Sequence, residues 1–260
     1  MKILFIGDIS GEDGIRAVKV NVKTIIKKEK IDYVIANAEN TTKGRGLNFT
    51  DYNKLKDYGI NFFTMGNHTW KEKDCKIVLS HEDIVRPANL NKKFEFFDVG
   101  VGSKEIDFKG KKIRITNLLG KSLNFKEMQT NPFLKMDEIL KEDKSDIHIV
   151  DFHSETTSEK NAFFLNYKGK VDAILCTHTH VQTADEKIRD KTAYITDVGM
   201  TGSESGIIGA KPETIIKMFR EEIQFFKLLP NLDKYQFSAV ILEFKNNEVV
   251  NIKRILKYEK

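Results

Sequence analysis

The 260-residue chain has only two cysteines, four prolines and one tryptophan. Cys75 and Cys176 are too few for a disulfide framework, so the fold must rest on an apolar core and suits a reducing cytoplasm. No apolar run approaches the ~20 residues of a membrane helix. The N-terminus reaches Gly7 and Asp8 after a short apolar stretch, which is not the layout of a secretory leader, and a cytoplasmic location is expected. There is no repeat, low-complexity tract or linker, so residues 1–260 read as one domain, long enough to bury a large core. At 40% apolar and 31% charged residues the composition excludes a disordered chain. The net charge of +5 comes mostly from lysines interleaved with acids, as in "IIKKEK" and "KGKKIR". That permits an anionic partner, but a nucleic-acid-binding face would need clustered charge.

What is present is an alternation of strands and helices. "KILFIGDI" reads as a short strand, and "GEDGIRAVKVNVKTIIKKEK" places Ile15, Val18, Val22, Ile25 and Ile26 on one helical face. "IDYVIANAEN" is a second strand, Thr50 reads as the cap of helix "DYNKLKDYG", and "INFFTMGN" is a third strand. "FEFFDVGVGS", "EIDFKG" and "KKIRITNLLG" alternate and carry glycine turns, as antiparallel strands do. Helix "PFLKMDEILKEDK" then precedes strand "IHIVDFH", and helix "TSEKNAFFLNY" precedes strand "VDAILCTH". "TAYITDVGM" is another strand, Pro212 suits the first turn of helix "KPETIIKMFREEI", and the tail is a hairpin about Asn246-Asn247. An α/β fold of two sheets enclosed by helices is expected.

Polar groups gather where these strands end. Asp8 follows "LFIG", Glu39-Asn40 follows "YVIANA", Asn67-His68 follows "FFTMG", His153 follows "HIVDF", and His178-x-His180 follows "AILCT". Ligands of open α/β sheets bind beyond the carboxyl ends of strands, so loops converging there would collect these side chains at one rim. Each has an ordinary alternative: Asp8 could cap the next helix, Gly66-Asn67 could be a turn pair, and a lone His153 could be a hydrogen-bonded core residue. The joint pattern weighs against those alternatives. Four of the six histidines follow apolar strands, and a period of two puts His178 and His180 on one side of an extended segment. His81 and His148 read as structural. Mixed histidine, carboxylate and carboxamide donors suit Fe, Mn or Zn rather than Ca or Mg.

Asp8, "NAEN", "GNH", "DFHSETTSEK", "THTHVQTAD" and "ITDVGMTG" closely resemble the motifs of the YmdB family of calcineurin-like metallophosphoesterases, and "SAVILEF" fits its last strands. The resemblance implies two mixed β-sheets between helices, in α-β-β-α layers, and two transition-metal ions, Fe or Mn before Zn. It implies that Asp8, Glu39 and His180 hold one ion, and that Glu39, Asn40, Asn67, His153 and His178 hold the other, with Glu39 bridging. It further implies phosphodiester hydrolysis by a hydroxide held between the ions, with 2′,3′-cyclic nucleotides as substrates and His68 as the acid for the leaving oxygen. The Asp-x-His of most calcineurin-like enzymes is absent here, because Ile9-Ser10 follows Asp8, and Glu39 stands where an Asp is usual; both departures belong to this branch. "GDISG", "NAEN" and Cys176 differ from the family pattern beside the ligands only, and Cys176 reads as a small buried apolar residue. The stretch Asn91–Gly110 also diverges and is a candidate for shaping substrate access. The rivals are a broad phosphomonoesterase or phosphodiesterase with the same centre, and an RNA-binding or regulatory module with a vestigial metal site. The oligomeric state is left open.

Overall fold

The structure, a computed structural model, describes residues 1–125, 128–223 and 230–260. The first half runs β1 (Lys2–Ile6), α1 (Gly11–Glu29), β2 (Tyr33–Asn37), α2 (Phe49–Asp57), β3 (Phe62–Thr64), α3 (Cys75–Leu79) and β4 (Ile84–Val85). The second runs β5 (Ser103–Phe108), β6 (Lys111–Leu119), α4 (Pro132–Glu142), β7 (Ile147–His153), α5 (Thr157–Tyr167) and β8 (Ala173–Thr177). It closes with β9 (Lys187–Arg189), β10 (Thr192–Ile195), β11 (Gly202–Ser203), α6 (Pro212–Phe219), β12 (Tyr235–Lys245) and β13 (Glu248–Tyr258).

The strands form two mixed sheets. In the first, β1, β2, β3 and β4 run parallel in that order, and β12 lies antiparallel against β1. β13 covers the other edge of β12, and β11 pairs with its beginning. The second sheet has the order β5-β6-β7-β8-β10-β9, parallel from β6 to β10 and antiparallel at both ends.

Strand alternation makes the layers. Leu4 and Ile6 of β1 pack with Val18, Val22 and Leu55 of the helices on one face, whereas Ile3 and Phe5 point the other way. Those two meet Ile113, Ile149, Leu175 and Ile195, so the middle cluster is the seam between sheets. On the far face Val150, Phe152 and Ile174 pack beneath Met136, Phe163 and Tyr167 of α4 and α5. Helix, sheet, sheet, helix is the expected layering, since every second strand residue needs an apolar partner on each side.

Several local expectations need correction. The α2 cap is Asn48, whose side chain accepts from the Asp51 N–H at 2.7 Å, and Thr50 lies inside the first turn. Asn and Thr both cap helices, but Asn48 alone has the extended backbone a cap requires. "FEFFDV" is a series of turns, not a strand. Arg86 binds the carbonyls of Phe97 and Val99 at 2.9 and 3.1 Å, while the rings of Phe94 and Phe96 pack on Trp70. Those side-chain contacts override the local β preference. Helix α6 stops at Phe219, earlier than the pattern predicts, and the short α3 and β4 were not foreseen. The final hairpin forms as expected: Asn246 and Asn247 both take left-handed φ, 51° and 68°, which suits a tight two-residue turn.

Candidate metal centre

The carboxyl ends of β1, β2 and β3 in one sheet and of β7 and β8 in the other open on the same rim, where the predicted polar residues meet. Asp8 is fully buried; the helix cap is Ser10, so the capping alternative for Asp8 fails. Its strand can end there because Gly7 has no side chain: a Cβ at that position would sit 1.8 Å from the Gly199 carbonyl oxygen. Glu39, Asn40, Asn67 and His153 are also buried, and His178 and His180 are half-buried at the mouth.

The short distances centre on His153. Its Nε2 lies 2.9 Å from Asn67 Oδ1, 3.1 Å from Glu39 Oε1 and 3.1 Å from His178 Nδ1. Atoms of Glu39, His153 and His178 fall within 4.8 Å of one another, close enough to share an ion. Asp8 is adjacent: its Oδ2 accepts the His178 N–H at 3.1 Å, and its Oδ1 is buried with no partner. Asn40 connects the other side. Its Nδ2 lies 3.1 Å from both Glu39 Oε1 and His180 Nε2, and its Oδ1 faces His68 Nδ1 at 2.7 Å. A half-turn of that amide exchanges oxygen and nitrogen between the two directions.

Each histidine of the group has one nitrogen tied outward. His153 Nδ1 meets Thr177 Oγ1 at 2.8 Å, and that hydroxyl donates to Asp151 at 2.7 Å. His178 Nε2 meets Glu155 at 2.7 Å, and His180 Nδ1 meets the Ile208 carbonyl at 2.9 Å. An outward acceptor fixes a proton on the outer nitrogen and turns the lone pair of the inner one toward the centre. The result is a ring of inward carboxylate, carboxamide and imidazole donors with a shortage of hydrogen to share. That donor chemistry fits a cation.

Electrostatics agree. Burial pushes Glu39 up, but His153, by charge and hydrogen bond, and then His68 hold its carboxyl well below the usual carboxylate range. Burial would strip the proton from His153, yet Glu39, Asp8 and Asp151 raise it to about 9, so the carboxylates favour a positive charge at its inner nitrogen, and a cation bound there would take that proton's place. Burial also raises Asp8 against the pull of His180 and His153. Burial and the charge of His153 push His178 down to about 4, leaving it a neutral donor at neutral pH. The pocket as a whole demands positive charge.

The turn carrying the mouth histidines is strained. His178 and His180 have φ of 102° and 67°, conformations that cost non-glycine residues about 1–3 kcal/mol and cluster at functional sites. The cleft outside has a volume of about 940 Å³. One wall carries Lys43 and Arg45, and Ile208, Met218 and Phe219 make an apolar wall. Asn91–Gly110 contributes none of the cleft's lining among the described residues; its Phe94 and Phe96 pack on Trp70.

His148 pairs with Asp143 at 2.6 Å and His81 stacks on Phe49 and Tyr52, so both are structural as expected. Cys75 and Cys176 are buried and free, and burial raises both thiols. Glu155, Asp151 and Thr177 were not singled out in the sequence. Glu155 stands two residues after His153 in "DFHSE", but nothing in the spacing says that it reaches His178.

The fold and this rim define a two-sheet α/β protein with a cleft whose donor groups fit a cation, and comparison with known proteins makes the class specific. The chain belongs to the YmdB-like protein family, whose model matches residues 4–255. A Mycoplasma genitalium relative, described provisionally as a phosphatase/phosphodiesterase, is 47% identical over 98% of this chain and 92% of its own. The 2′,3′-cyclic-nucleotide 2′-phosphodiesterase of Bacillus subtilis is 39% identical over 98% of this chain and 97% of its own. A crystal structure titled as a novel phosphatase from Mycoplasma pneumoniae superposes with a TM-score of 0.96 at 42% identity, covering 99% of this chain and 93% of that one.

Proposed function

We propose that the chain, as one domain over residues 1–260, is a dinuclear-metal phosphodiesterase with the calcineurin-like fold, acting on 2′,3′-cyclic nucleotides. The observation that carries it is the ring of inward-facing donors whose outer atoms are pinned: His153 by Thr177, His178 by Glu155 and His180 by Ile208. In this reading Asp8, Glu39 and His180 hold one ion, and Asn40, Asn67, His153 and His178 join Glu39 around the other. The unpartnered Oδ1 of Asp8 supports the first site. Convergence of Asn67, Glu39 and His178 on His153 Nε2 supports the second. Bound ions supply the Lewis acidity that makes water a nucleophile at neutral pH and offsets charge on phosphoryl oxygens.

The chain supplies the rest. His68 lines the cleft, its N–H donates to Glu39 Oε2 at 2.7 Å, and its Nδ1 is engaged by Asn40. That leaves Nε2 to give a proton to the departing oxygen. Burial holds His68 below its ordinary value, and an anionic phosphoester beside it would restore the charged form. Lys43 and Arg45 offer positive charge to the phosphate, and the wall of Ile208 and Phe219 accepts the apolar face of a base. The name of the Bacillus relative supports cyclic nucleotides as the substrate class.

The test is metal analysis of purified protein, followed by a panel of cyclic nucleotides, bis-p-nitrophenyl phosphate and p-nitrophenyl phosphate. About two Fe or Mn ions per chain are expected, with activity lost to strong chelation and restored by Mn²⁺. Preference for the cyclic nucleotides separates this reading from a broad phosphoesterase. Full activity in protein free of metal would overturn it.

A further inference from the structure

Helix α5 carries a lysine that the proposed chemistry does not use. Lys160 is fully buried, with its Nζ 2.8 Å from Oδ2 of the equally buried Asp197. An interior ion pair returns its desolvation cost only when further hydrogen bonds complete it, and those bonds show what this pair serves. Asp197 Oδ2 also accepts from the N–H of Thr179 at 3.0 Å and from its hydroxyl at 2.7 Å. Oδ1 accepts the Gly199 N–H at 2.8 Å. Asp197 is in turn anchored to Thr183, donating its N–H to Oγ1 at 2.9 Å.

Thr179 is the residue between His178 and His180. The backbone on both sides of it has positive φ, and Val181, just beyond, is 63% exposed. Apolar packing therefore does little to hold this turn, and the Asp197 carboxylate grips its midpoint. Lys160 balances the charge that this grip buries. The segment leading into α5 touches the turn again through Glu155 and His178 Nε2.

We propose that Lys160 and Asp197 form a positioning clamp that sets His178 and His180 at ion-binding separation, so that the pair governs metal affinity and not merely stability. This rests on the two-ion reading above. Neither residue touches substrate or ion; they act through Thr179.

The test uses the full chain stripped of metal and titrated with Mn²⁺ alone by calorimetry, with thermal melts in parallel. The variants are Asp197→Asn, Lys160→Met, the double variant K160M/D197N, which leaves no buried charge unpaired, and Thr179→Val. Wild type should bind about two Mn²⁺. The double variant should recover a Tm near wild type yet bind Mn²⁺ about 10-fold more weakly, the lower end of the loss for removing a direct partner of a metal ligand, because the clamp acts through the intervening Thr179. Thr179→Val should show a smaller loss in the same direction. At saturating Mn²⁺ the deficit should lie in kcat rather than KM. If the single charge variants fail to fold, the double variant and Thr179→Val decide. A double variant with wild-type Mn²⁺ affinity, or affinities that simply follow Tm across the series, would overturn the clamp and leave the two-ion reading standing. A wild-type chain that binds no Mn²⁺ would remove both.

Discussion

Gly66→Ala tests the packing of the centre with one methyl group. A Cβ at Gly66 would lie 2.4 Å from Glu39 Oε2 and 2.6 Å from His153 Nε2, where ordinary contact begins at 3.4 Å. The backbone there is not in the left-handed region, so alanine is permitted conformationally and should even favour folding by about 0.4–1 kcal/mol through the unfolded chain. The whole penalty falls on the site. Neither neighbour can swing aside freely, because Glu39 Oε2 holds the His68 N–H at 2.7 Å and His153 is tied to Thr177. Glu39, His153 or the turn must therefore shift by about 1 Å, and a displacement of that size costs about 10²-fold in turnover. The assay is kcat/KM on bis-p-nitrophenyl phosphate with metal content and Tm measured on the same preparation. Glu12→Ala, at an exposed position on α1, serves as the control. A folded Gly66→Ala protein with wild-type turnover and metal content would show that the glycine is not needed for clearance and that the inferred closeness of Glu39 and His153 is wrong.

Three further outcomes are expected. Glu39→Ala should lower occupancy of both ions while Asp8→Ala mainly empties one; equal metal content in wild type and Glu39→Ala removes Glu39 from the bridge. Asp13, unlike Glu12, is no silent control, because it binds Arg16 and the Asp233 N–H. His68→Ala should keep its metals yet lose about 10²–10⁴-fold in turnover, more on a ribose leaving oxygen than on p-nitrophenolate; equal losses on both would leave His68 a positioning residue. Burial raises Asp143, but the His148 ring 2.6 Å away and hydrogen bonds from Ser145 hold it well below the usual carboxylate range. An acid depressed in the fold adds stability above its unfolded value that drains as pH falls through its folded one. Asp143→Asn should therefore lower Tm at pH 7 and flatten the acid limb below about pH 4; identical acid limbs would refute that assignment.

The sequence made the site histidines legible because each follows a buried apolar strand; His153 is the last residue of β7, while His68, His178 and His180 lie on the turns just beyond β3 and β8. The order of strands and helices also pointed to two sheets enclosed by helices, whereas the division of β1, with Leu4 and Ile6 toward the helices and Ile3 and Phe5 toward the seam, is visible only in the structure. What stayed hidden depends on tertiary contact. "FEFF" has the composition of a strand, and only the reach of Arg86 and the face of Trp70 turn it into a wound loop. The roles of Glu155, Lys160 and Asp197 were equally invisible: Lys160 and Asp197 are separated by 37 positions, and their pairing follows from how α5 lies over the second sheet. A buried lysine reads in a sequence like any other helical lysine.

The placement of β12 bears on when activity can arise during synthesis. β1, which delivers Asp8, has β2 on one edge and needs Ala239–Glu243 on the other. Until that late segment leaves the ribosome, the edge of β1 is bare and the strand end holding Asp8 lacks half its support. Pairing Lys2 with Glu243 also closes nearly the whole chain in one step, a contact of the slow, non-local kind. A nascent or clipped chain that stops short of Ala239 should thus carry the other donors and still lack a competent centre, so the fold itself ties activity to the arrival of β12.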